Sequence, residues 1–462
     1  MAGAPPSPPQ VSGHPPALAL ALAMLAATGS GNAEPLPAGP VAEPAPPPVP
    51  PVAPPPVAPP PEPALVQLEP GWGTLQQTLG LPAWVDLDLE TLAEPMLNPV
   101  GGLVQEASWI QQTTLALTLR APTGERAGRE WQRWAMHLAV AGYNGDPSYA
   151  QRLGAAIPLQ EVANPVGFWL TRASLERRSA DGRWSLEAGL VGMAPDLFSA
   201  PVEGFYIHDA LNGAPVLFTI PNFPVFPVAA PGARLVLRPT PATTLRLASF
   251  NLAATDEVAK LLGTASGLPP GRGWTHQLQW SYAAPWLNRR LGEPIAACRH
   301  AGGLRARGRT CGRPVMVERQ LPGGLLQLAA YAGTGPNRGL YGSATVPVTL
   351  PWGLDHRLWA ATAAGFDTAA NPTPSYIGGG LVSQGVLPGR PLDLLILGVA
   401  RTGFSPISQP GLSHEGVVEL GYQIRFNQSF NIQPSLQWIL NPGGAGRVPG
   451  LFAAGLQLGF SF

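Results

Sequence analysis

The chain has 462 residues and a formal net charge of zero, and only 12% of its residues are charged, about half of the fraction typical of soluble domains. Glycine (55) and proline (57) are abundant, and neither heptads nor alternating strands and helices appear. The balanced charge gives no support to nucleic-acid binding. Beyond residue 30 no run of about 20 apolar residues occurs, which excludes a transmembrane helix and leaves a β-barrel as the possible membrane-spanning architecture.

The N-terminal part of the sequence indicates export followed by a stiff spacer. An apolar run at residues 17–27 precedes a small-x-small sequence at 31–33, which predicts a signal peptide over residues 1–33, although no lysine or arginine precedes the run. Residues 34–70 are dominated by proline, alanine and valine, so they predict an extended polyproline-type linker. Whether this linker contacts peptidoglycan or another partner stays open, and a disordered linker is the alternative.

Alternation of apolar and polar side chains defines the rest of the chain, most clearly in residues 416–462. Phe460 and Leu458 fall on one face of an extended strand, whereas Gly459 and Gln457 fall on the other. Similar segments recur from residue 114 onward and number roughly 14 to 18, the size at which a barrel encloses an aqueous channel. A soluble antiparallel sheet with one wet face would alternate in the same way.

Several sequence strings give a more specific resemblance. They are NPVGG at 98–102, SADGRWSL at 179–186, APGARLVLRPT at 230–240 and QPSLQWILNPGG at 433–444. With these strings the chain resembles, over residues 71–462, the carbohydrate-selective porin family of the bacterial outer membrane, the glucose-porin type. The resemblance implies an all-β, transmembrane antiparallel barrel of 16 strands, narrowed by inward constriction loops, that conducts sugars by diffusion as a monomer or trimer.

The terminal residue supports the same interpretation. A final Phe462, preceded by aromatic and aliphatic residues at alternate positions, resembles the signal that the barrel-assembly machinery reads in outer-membrane proteins of Gram-negative bacteria. The expected partners are therefore this machinery, outer-membrane lipid and lipopolysaccharide, with small sugars or ions as solutes.

Strand parity and loop position predict the side chains that line the pore. Those on the polar faces of strands are Glu187, Arg234, Arg238, Arg246, Glu419, Gln423, Arg425, Gln433 and Gln437. Those in a non-strand segment expected to fold inward are Tyr206, His208, Asp209 and Asn212. Facing arginine and glutamate rows would narrow the wet cross-section and set a transverse field. For each residue the alternative is an ordinary wall position away from the constriction.

Residues 289–319 form an unusually basic region that we interpret as a loop. Its arginines are Arg289, Arg290, Arg299, Arg305, Arg307, Arg309, Arg313 and Arg319. Cys298 and Cys311 predict a disulfide within it, as expected for an exported protein. A metal site with His300 lacks a fourth ligand. The arginines could bind lipopolysaccharide, attract anions to the pore mouth, or belong to a solvated surface loop.

The sequence carries no nucleophile elbow, phosphate-binding loop or zinc signature, so neither an enzyme nor a cofactor or metal is expected. The leading hypothesis is an outer-membrane porin for passive or facilitated diffusion of carbohydrates and other small solutes into the periplasm. One alternative is a general or inorganic-ion pore that prefers anions. Another is a structural envelope protein that links the outer membrane to the cell wall through its proline-rich segment.

Overall fold

The structure is a computed structural model of the chain. It describes residues 64–121, 133–192, 197–213, 226–254, 273–300, 303–306, 314–335 and 337–462. The predicted signal peptide and the spacer up to residue 63 lie outside the described residues.

The described part of the chain is mostly strand. Its strands are β1 (Leu65–Val66), β2 (Val85–Val100), β3 (Ala107–Arg120), β4 (Trp134–Gly145), β5 (Gly167–Arg178), β6 (Trp184–Val191), β7 (Ala230–Thr240), β8 (Thr243–Asn251), β9 (Trp274–Tyr282), β10 (Ile295–His300), β11 (Gly303–Ala306), β12 (Pro314–Val317), β13 (Leu325–Gly333), β14 (Arg338–Val348), β15 (Asp355–Gly365), β16 (Ser375–Gln384), β17 (Leu394–Gly403), β18 (His414–Arg425), β19 (Phe430–Leu440) and β20 (Leu451–Ser461). The helices are α1 (Leu75–Thr78), α2 (Tyr149–Leu153) and α3 (Asp209–Asn212), with 3-10 turns at Glu203–Phe205, Leu252–Ala254 and Pro442–Gly444. None of the helices described is long and apolar enough to cross a membrane.

Sixteen strands close into one antiparallel barrel, which confirms the predicted fold. Strands β2 to β9 and β13 to β20 follow one another around the ring. The ring closes where β2 pairs with β20, for example Thr91 opposite Phe460, and where β9 pairs with β13, for example Leu278 opposite Ala330. Each strand therefore has a neighbour on both sides, and no open edge remains in the barrel.

Side-chain alternation follows the predicted parity. On β9, Trp274 and Leu278 are exposed on the outside, whereas Gln277 and Gln279 are buried on the inside. Apolar residues thus cover the outer surface and polar ones the inner surface, as a membrane barrel requires. Exposed tryptophans at strand ends, such as Trp184, lie where membrane barrels carry a girdle of aromatic residues at each interface.

The two ends of the barrel differ in the lengths of their connections. At the end where β20 finishes, residues 179–183, 241–242 and 426–429 make short turns, and one long connection, residues 283–324, joins β9 to β13. At the other end, the connection from β4 to β5 spans residues 146–166 and that from β6 to β7 spans residues 192–229. Short turns face the periplasm in outer-membrane barrels, so the end that carries the terminus of β20 is the periplasmic end.

The basic region contains strands, which corrects its interpretation as a loop. Strands β10, β11 and β12 pair with one another, and β1 joins β12 in parallel, giving a four-stranded sheet in the order β1-β12-β10-β11. These strands are too short for alternation to reveal them. The insertion that carries them, residues 283–324, connects β9 to β13 at the periplasmic end, away from the leaflet that holds lipopolysaccharide. Cys298 on β10 is disulfide-bonded. Cys311 lies outside the described residues, so the pairing of the two stays a prediction.

The segment before β2 clamps the end of the barrel. Trp72 stacks on Phe462 and Phe460, with ring centroids 5.2 and 6.3 Å apart, and its Nε1–H donates to the carbonyl of Ser461 at 3.1 Å. A Cβ on Gly71 would lie 1.8 Å from the Ser429 hydroxyl, so only glycine permits this close approach. The segment before β2 therefore packs on the end of β20, one of the two strands that close the barrel.

We expect Trp72→Ala to lower the free energy of barrel unfolding by about 1 to 2 kcal/mol, because it removes three aromatic pairs, with Phe430, Phe460 and Phe462, and one hydrogen bond. The measurement is the temperature at which the folded, fast-migrating band is lost in gel electrophoresis. Trp286→Ala is the control, because Trp286 is 63% exposed and outside this clamp. Equal thermal shifts in the two variants would contradict the clamp.

Candidate functional site: the pore wall and its inward loops

Arginines dominate the inner wall along β5 to β8. We define the arginine row as Arg172, Arg178, Arg234 and Arg246. Glu187 lies between two of them, with 2.6 Å from its carboxylate to Arg172 Nε and 2.8 Å to Arg234 Nη2. The Ser174 hydroxyl donates to the same carboxylate at 2.5 Å. Glu187 is 2% exposed, but a third of the Arg172 side chain is exposed. The carboxylate is therefore covered while part of the cationic surface faces the lumen.

A second charged group extends this row toward the periplasm. Arg178 makes two bonds to the Glu176 carboxylate, at 2.9 and 2.8 Å, and His137 Nε2 lies 3.1 Å from it. The Arg178 side chain is 56% exposed, whereas that of Glu176 is 9% exposed. This group repeats the arrangement at Glu187, with a covered acid and an accessible arginine.

The two other predicted arginines of β7 and β8 occupy different positions. Arg246 Nη1 donates to the Ser281 hydroxyl at 3.2 Å on the inner wall. Arg238 is exposed and reaches the carbonyl of Gly182 at 3.4 Å, in the turn between β5 and β6. Arg238 thus lies at the periplasmic rim. Parity alone would also have allowed a position in the middle of the pore.

The long connection between β6 and β7 crosses the lumen. We call its described residues 197–213 the second inward loop. The Tyr206 hydroxyl donates to the carbonyl of Leu397 on β17 at 2.9 Å, and Gln433 Nε2 on β19 donates to the carbonyl of Phe205 at 2.8 Å. Strand β17 is eight strands from β6 in either direction around the ring. The loop therefore reaches the diametrically opposite wall.

Glycines on the opposite wall make room for Tyr206. A Cβ on Gly380 would lie 2.2 Å from the Tyr206 hydroxyl, and a Cβ on Gly398 would lie 2.4 Å from its ring. The Trp359 Nε1–H donates to the same hydroxyl at 2.8 Å. Tyr206 thus occupies a recess that larger side chains would close.

Glu419 anchors the backbone of this loop. Its two carboxylate oxygens each accept an N–H at 3.0 Å, from Ile207 and from His208. His208 Nδ1 accepts the N–H of Ala210, so the side chain caps α3. Burial lowers the pKa of His208 to about 3, which keeps the imidazole neutral and able to accept. Parity predicted an inner-face position for Glu419, and the loop covers the side chain there completely.

The predicted loop residues come together but are buried. Tyr206, His208, Asp209 and Asn212 are each at most 3% exposed. Asn212 donates to the carbonyl of Tyr206 at 2.9 Å and to the carboxylate of Glu161. These side chains hold the loop in place, and we propose that they shape the pore through the loop's position rather than by direct contact with solutes.

The connection between β4 and β5, residues 146–166, forms a first inward loop that is fastened to the wall in the same way. Glu415 accepts the N–H groups of Ala156 and Ile157 at 2.8 and 2.9 Å. Gln437 Nε2 donates to the carbonyl of Leu159 at 2.9 Å. Gln437 is therefore an inner wall residue that holds a loop.

Two buried carboxylates meet where this loop contacts β20. Gln457 Nε2 lies 2.7 Å from Glu94 on β2 and 2.6 Å from Glu161 in the first inward loop. Burial and the neighbouring Glu94 carboxylate raise the pKa of Glu161 well above its usual range. The shared amide therefore joins the loop to the two strands that close the barrel.

The remaining candidates lie toward the periplasmic end of β18 and β19. Gln423 Nε2 donates to Gln433 Oε1 at 3.1 Å, and Arg425 Nη1 donates to Gln320 Oε1 at 2.5 Å. Apart from Arg238 at the rim, the predicted strand residues lie on the inner face, but only part of the arginine row is substantially open to solvent. Within the described ranges, no group of three or more His, Cys, Asp or Glu side chains could hold a metal ion.

Sequence reasoning missed several residues of this site. Glu94, Glu161 and Glu415 fasten loops, and Arg172 and Glu176 belong to the charged wall. Parity could have found the strand residues, since each lies on the inward-facing side of its strand. Nothing local marked their loop partners, because those contacts join residues far apart in sequence.

We expect Gly398→Val to displace the second inward loop, because a Cβ there overlaps the Tyr206 ring. Single-channel recording should show a larger and noisier conductance than in the unmodified chain. Gly416→Ala is the matched control, since its nearest neighbour would be an ordinary 3.5 Å away. Unchanged conductance in a folded Gly398→Val protein would show that the loop does not narrow the pore.

Docking of the second inward loop should weaken as pH rises. Burial raises the pKa of Glu203 to about 8 and that of Asp209 to about 7, whereas both groups titrate near 4 when the loop is free. The docked loop is therefore most stable below about pH 4. As the pH rises further, each of the two groups reduces the free energy that stabilises docking by on the order of 1 kcal/mol per pH unit, until the pH reaches the pKa of that group in the docked loop. Mean conductance should rise between pH 4.5 and 8, and this rise should shrink in Glu203→Gln. An identical profile in that variant would exclude Glu203 as a cause.

Comparison with known proteins connects this geometry to a family. The model of the carbohydrate-selective porin family, OprB family, matches residues 114–462. The high-pH structure of Pseudomonas putida OprB is similar, with a TM-score of 0.66 and 20% identity over 86% of this chain and 99% of that chain. The low-pH structure of the same protein gives 0.51 and 15% identity over 86% of this chain and 100% of that chain. Comparison with curated protein sequences gives no match.

Proposed function

The chain belongs to the carbohydrate-selective porin family, and we propose that its pore lets sugars and other small solutes diffuse passively into the periplasm. Family membership over residues 114–462 is the observation that carries this proposal. The closed barrel with a polar interior supplies the path, and the two inward loops narrow it. The family and fold imply an outer-membrane location. The family consists of channels, and we propose that this chain has no catalytic activity.

The finer features of this function are part of the proposal. A signal peptide at residues 1–33 would export the chain, and the barrel-assembly machinery would read the strand that ends at Phe462. Outer-membrane lipid and lipopolysaccharide would surround the apolar outer face, and the assembly would be a monomer or a homotrimer. The solvent-exposed guanidinium groups of Arg172 and Arg178 would bind sugar hydroxyls as they pass.

An anion-preferring pore is the second candidate, and one observation favours it. In the charged groups of β5 and β6 the acids Glu176 and Glu187 are covered, whereas Arg178 and Arg172 reach solvent. A solute in the lumen therefore meets more positive than negative surface, which lowers the barrier for anions.

Reconstitution of the full protein separates these functions. A sugar pore should swell liposomes in glucose or maltose, and rising sugar concentration should reduce its single-channel current. A pore that is strongly anion-selective and indifferent to sugars would support the second candidate. Absence of any solute flux would contradict both and favour a structural envelope protein.

Arg172→Gln should shift the reversal potential in a salt gradient toward cation preference, because it removes a partly exposed charge and leaves Glu187 with one arginine fewer. Arg183→Gln is the matched control. It removes the same charge from the periplasmic turn, where Arg183 is 72% exposed and lies 3.6 Å from Asp181. Equal shifts in both variants would show that charge inside the pore does not set ion preference.

A further inference from the structure

The insertion between β9 and β13 sends one segment into the periplasmic opening of the barrel. We call this segment, Glu318–Pro322, the strap. It follows β12 directly, so the small four-stranded sheet lies at one end of it and the wall strand β13 at the other. The strap is separate in sequence from both inward loops.

Hydrogen bonds fix the middle of the strap to the inner wall. The N–H of Gln320 donates to Gln384 Oε1 at 2.9 Å, and Gln384 Nε2 donates back to the carbonyl of Glu318 at 2.8 Å. Gln384 is the inward-facing last residue of β16 and is fully buried. Arg425, inward-facing on β18, donates to the Gln320 side chain at 2.5 Å. One glutamine of the strap thus bridges two wall strands.

Charged groups fix the ends of the strap. Arg319 Nη1 lies 2.5 Å from the carboxylate of Asp355, at the start of β15. Arg357 Nε donates to the carbonyl of Pro322, and its Nη1 also reaches Asp355 at 2.8 Å. Arg357 is 1% exposed, so this network is desolvated and restrains the strap more than a surface ion pair would.

The N-terminal strand holds the strap from the other side. The N–H of Met316 donates to the carbonyl of Ala64 at 3.0 Å, and that of Glu318 donates to the carbonyl of Val66 at 2.8 Å. The N–H of Leu68 then reaches the Glu318 carboxylate at 3.4 Å. The chain that arrives from the proline-rich segment is therefore bonded directly to the first residue of the strap.

A small apolar core supports this junction. Ile295, Ala297 and Val317 from the sheet pack with Leu354, which precedes β15 in the barrel, and Val66 of β1 lies against them. Because the core joins the sheet to the wall, the strap is held by burial as well as by polar contacts.

We propose that the strap is a second constriction of the pore, at its periplasmic mouth, and that β1 holds it there. Its contacts with β15, β16 and β18 place backbone and side chains over the inner surface at this end, several strands from the arginine row. A solute that has passed the inward loops must still pass the strap. This inference rests on the proposed pore function, and it assigns the periplasmic selectivity of that pore to the strap.

The test uses the full protein in planar bilayers. In R319A/Q320A the strap loses its ion pair and one of its wall contacts, and we expect the single-channel conductance to rise on the order of two-fold, with larger polyethylene glycols entering from the periplasmic side only. R290A is the matched control, because it removes one charge from an exposed position of the same insertion. It should leave conductance and polymer cut-off unchanged.

Two further variants separate the strap from its support. Replacing residues 284–324 with Asn-Gly joins β9 to β13 by a short turn and removes the strap, so it should give the largest increase. Deleting residues 40–66 removes β1 but keeps the strap sequence, and it should raise conductance in the same direction. If the short-turn protein folds and both conductance and polymer cut-off stay unchanged, the proposal is wrong. If it does not fold, an unchanged R319A/Q320A contradicts the proposal equally. Absence of sugar flux through the unmodified protein would instead contradict the porin function itself.

Discussion

The pairing of β2 with β20 is the interaction on which the rest of the structure depends. In hydrocarbon an unpaired backbone N–H or C=O costs several kcal/mol, so a sheet can cross the membrane only when its first and last strands meet. Here the segment around Trp72 and the glutamine at 457 both reinforce that pair, one on the outside and one on the inside. Closure over sixteen strands then fixes an interior too wide for wall side chains to fill.

Loops occupy that interior because buried carboxylates hold their backbones. Glu415 and Glu419 lie on the same face of β18, four residues apart, and each accepts N–H groups from a different inward loop. A loop segment without regular structure has unsatisfied N–H groups, and charged acceptors satisfy them more strongly than neutral ones. The wall therefore determines the position of the loops, and the loops determine the width of the pore.

The two sides of the pore therefore differ in exposed charge, and its two ends differ in the segments that line them. The loops pack against β14 to β20 and β2, so solutes face the arginine row on the opposite side, where acids such as Glu187 are covered and arginines stay partly open. At the periplasmic end the small sheet and the chain arriving from the proline-rich segment meet the wall. Selection along such a path depends on groups placed by three separate segments of the chain.

The sequence by itself determined the barrel, the inward parity of residues such as Gln433 and Arg234, and the resemblance to the porin family, because alternation with period two is a local property of a strand. Only the tertiary structure decided that Glu419 anchors a loop instead of facing water, that Arg238 lies at the rim, and that the basic region contains strands. Those outcomes depend on contacts between residues distant in sequence, which strand periodicity does not encode.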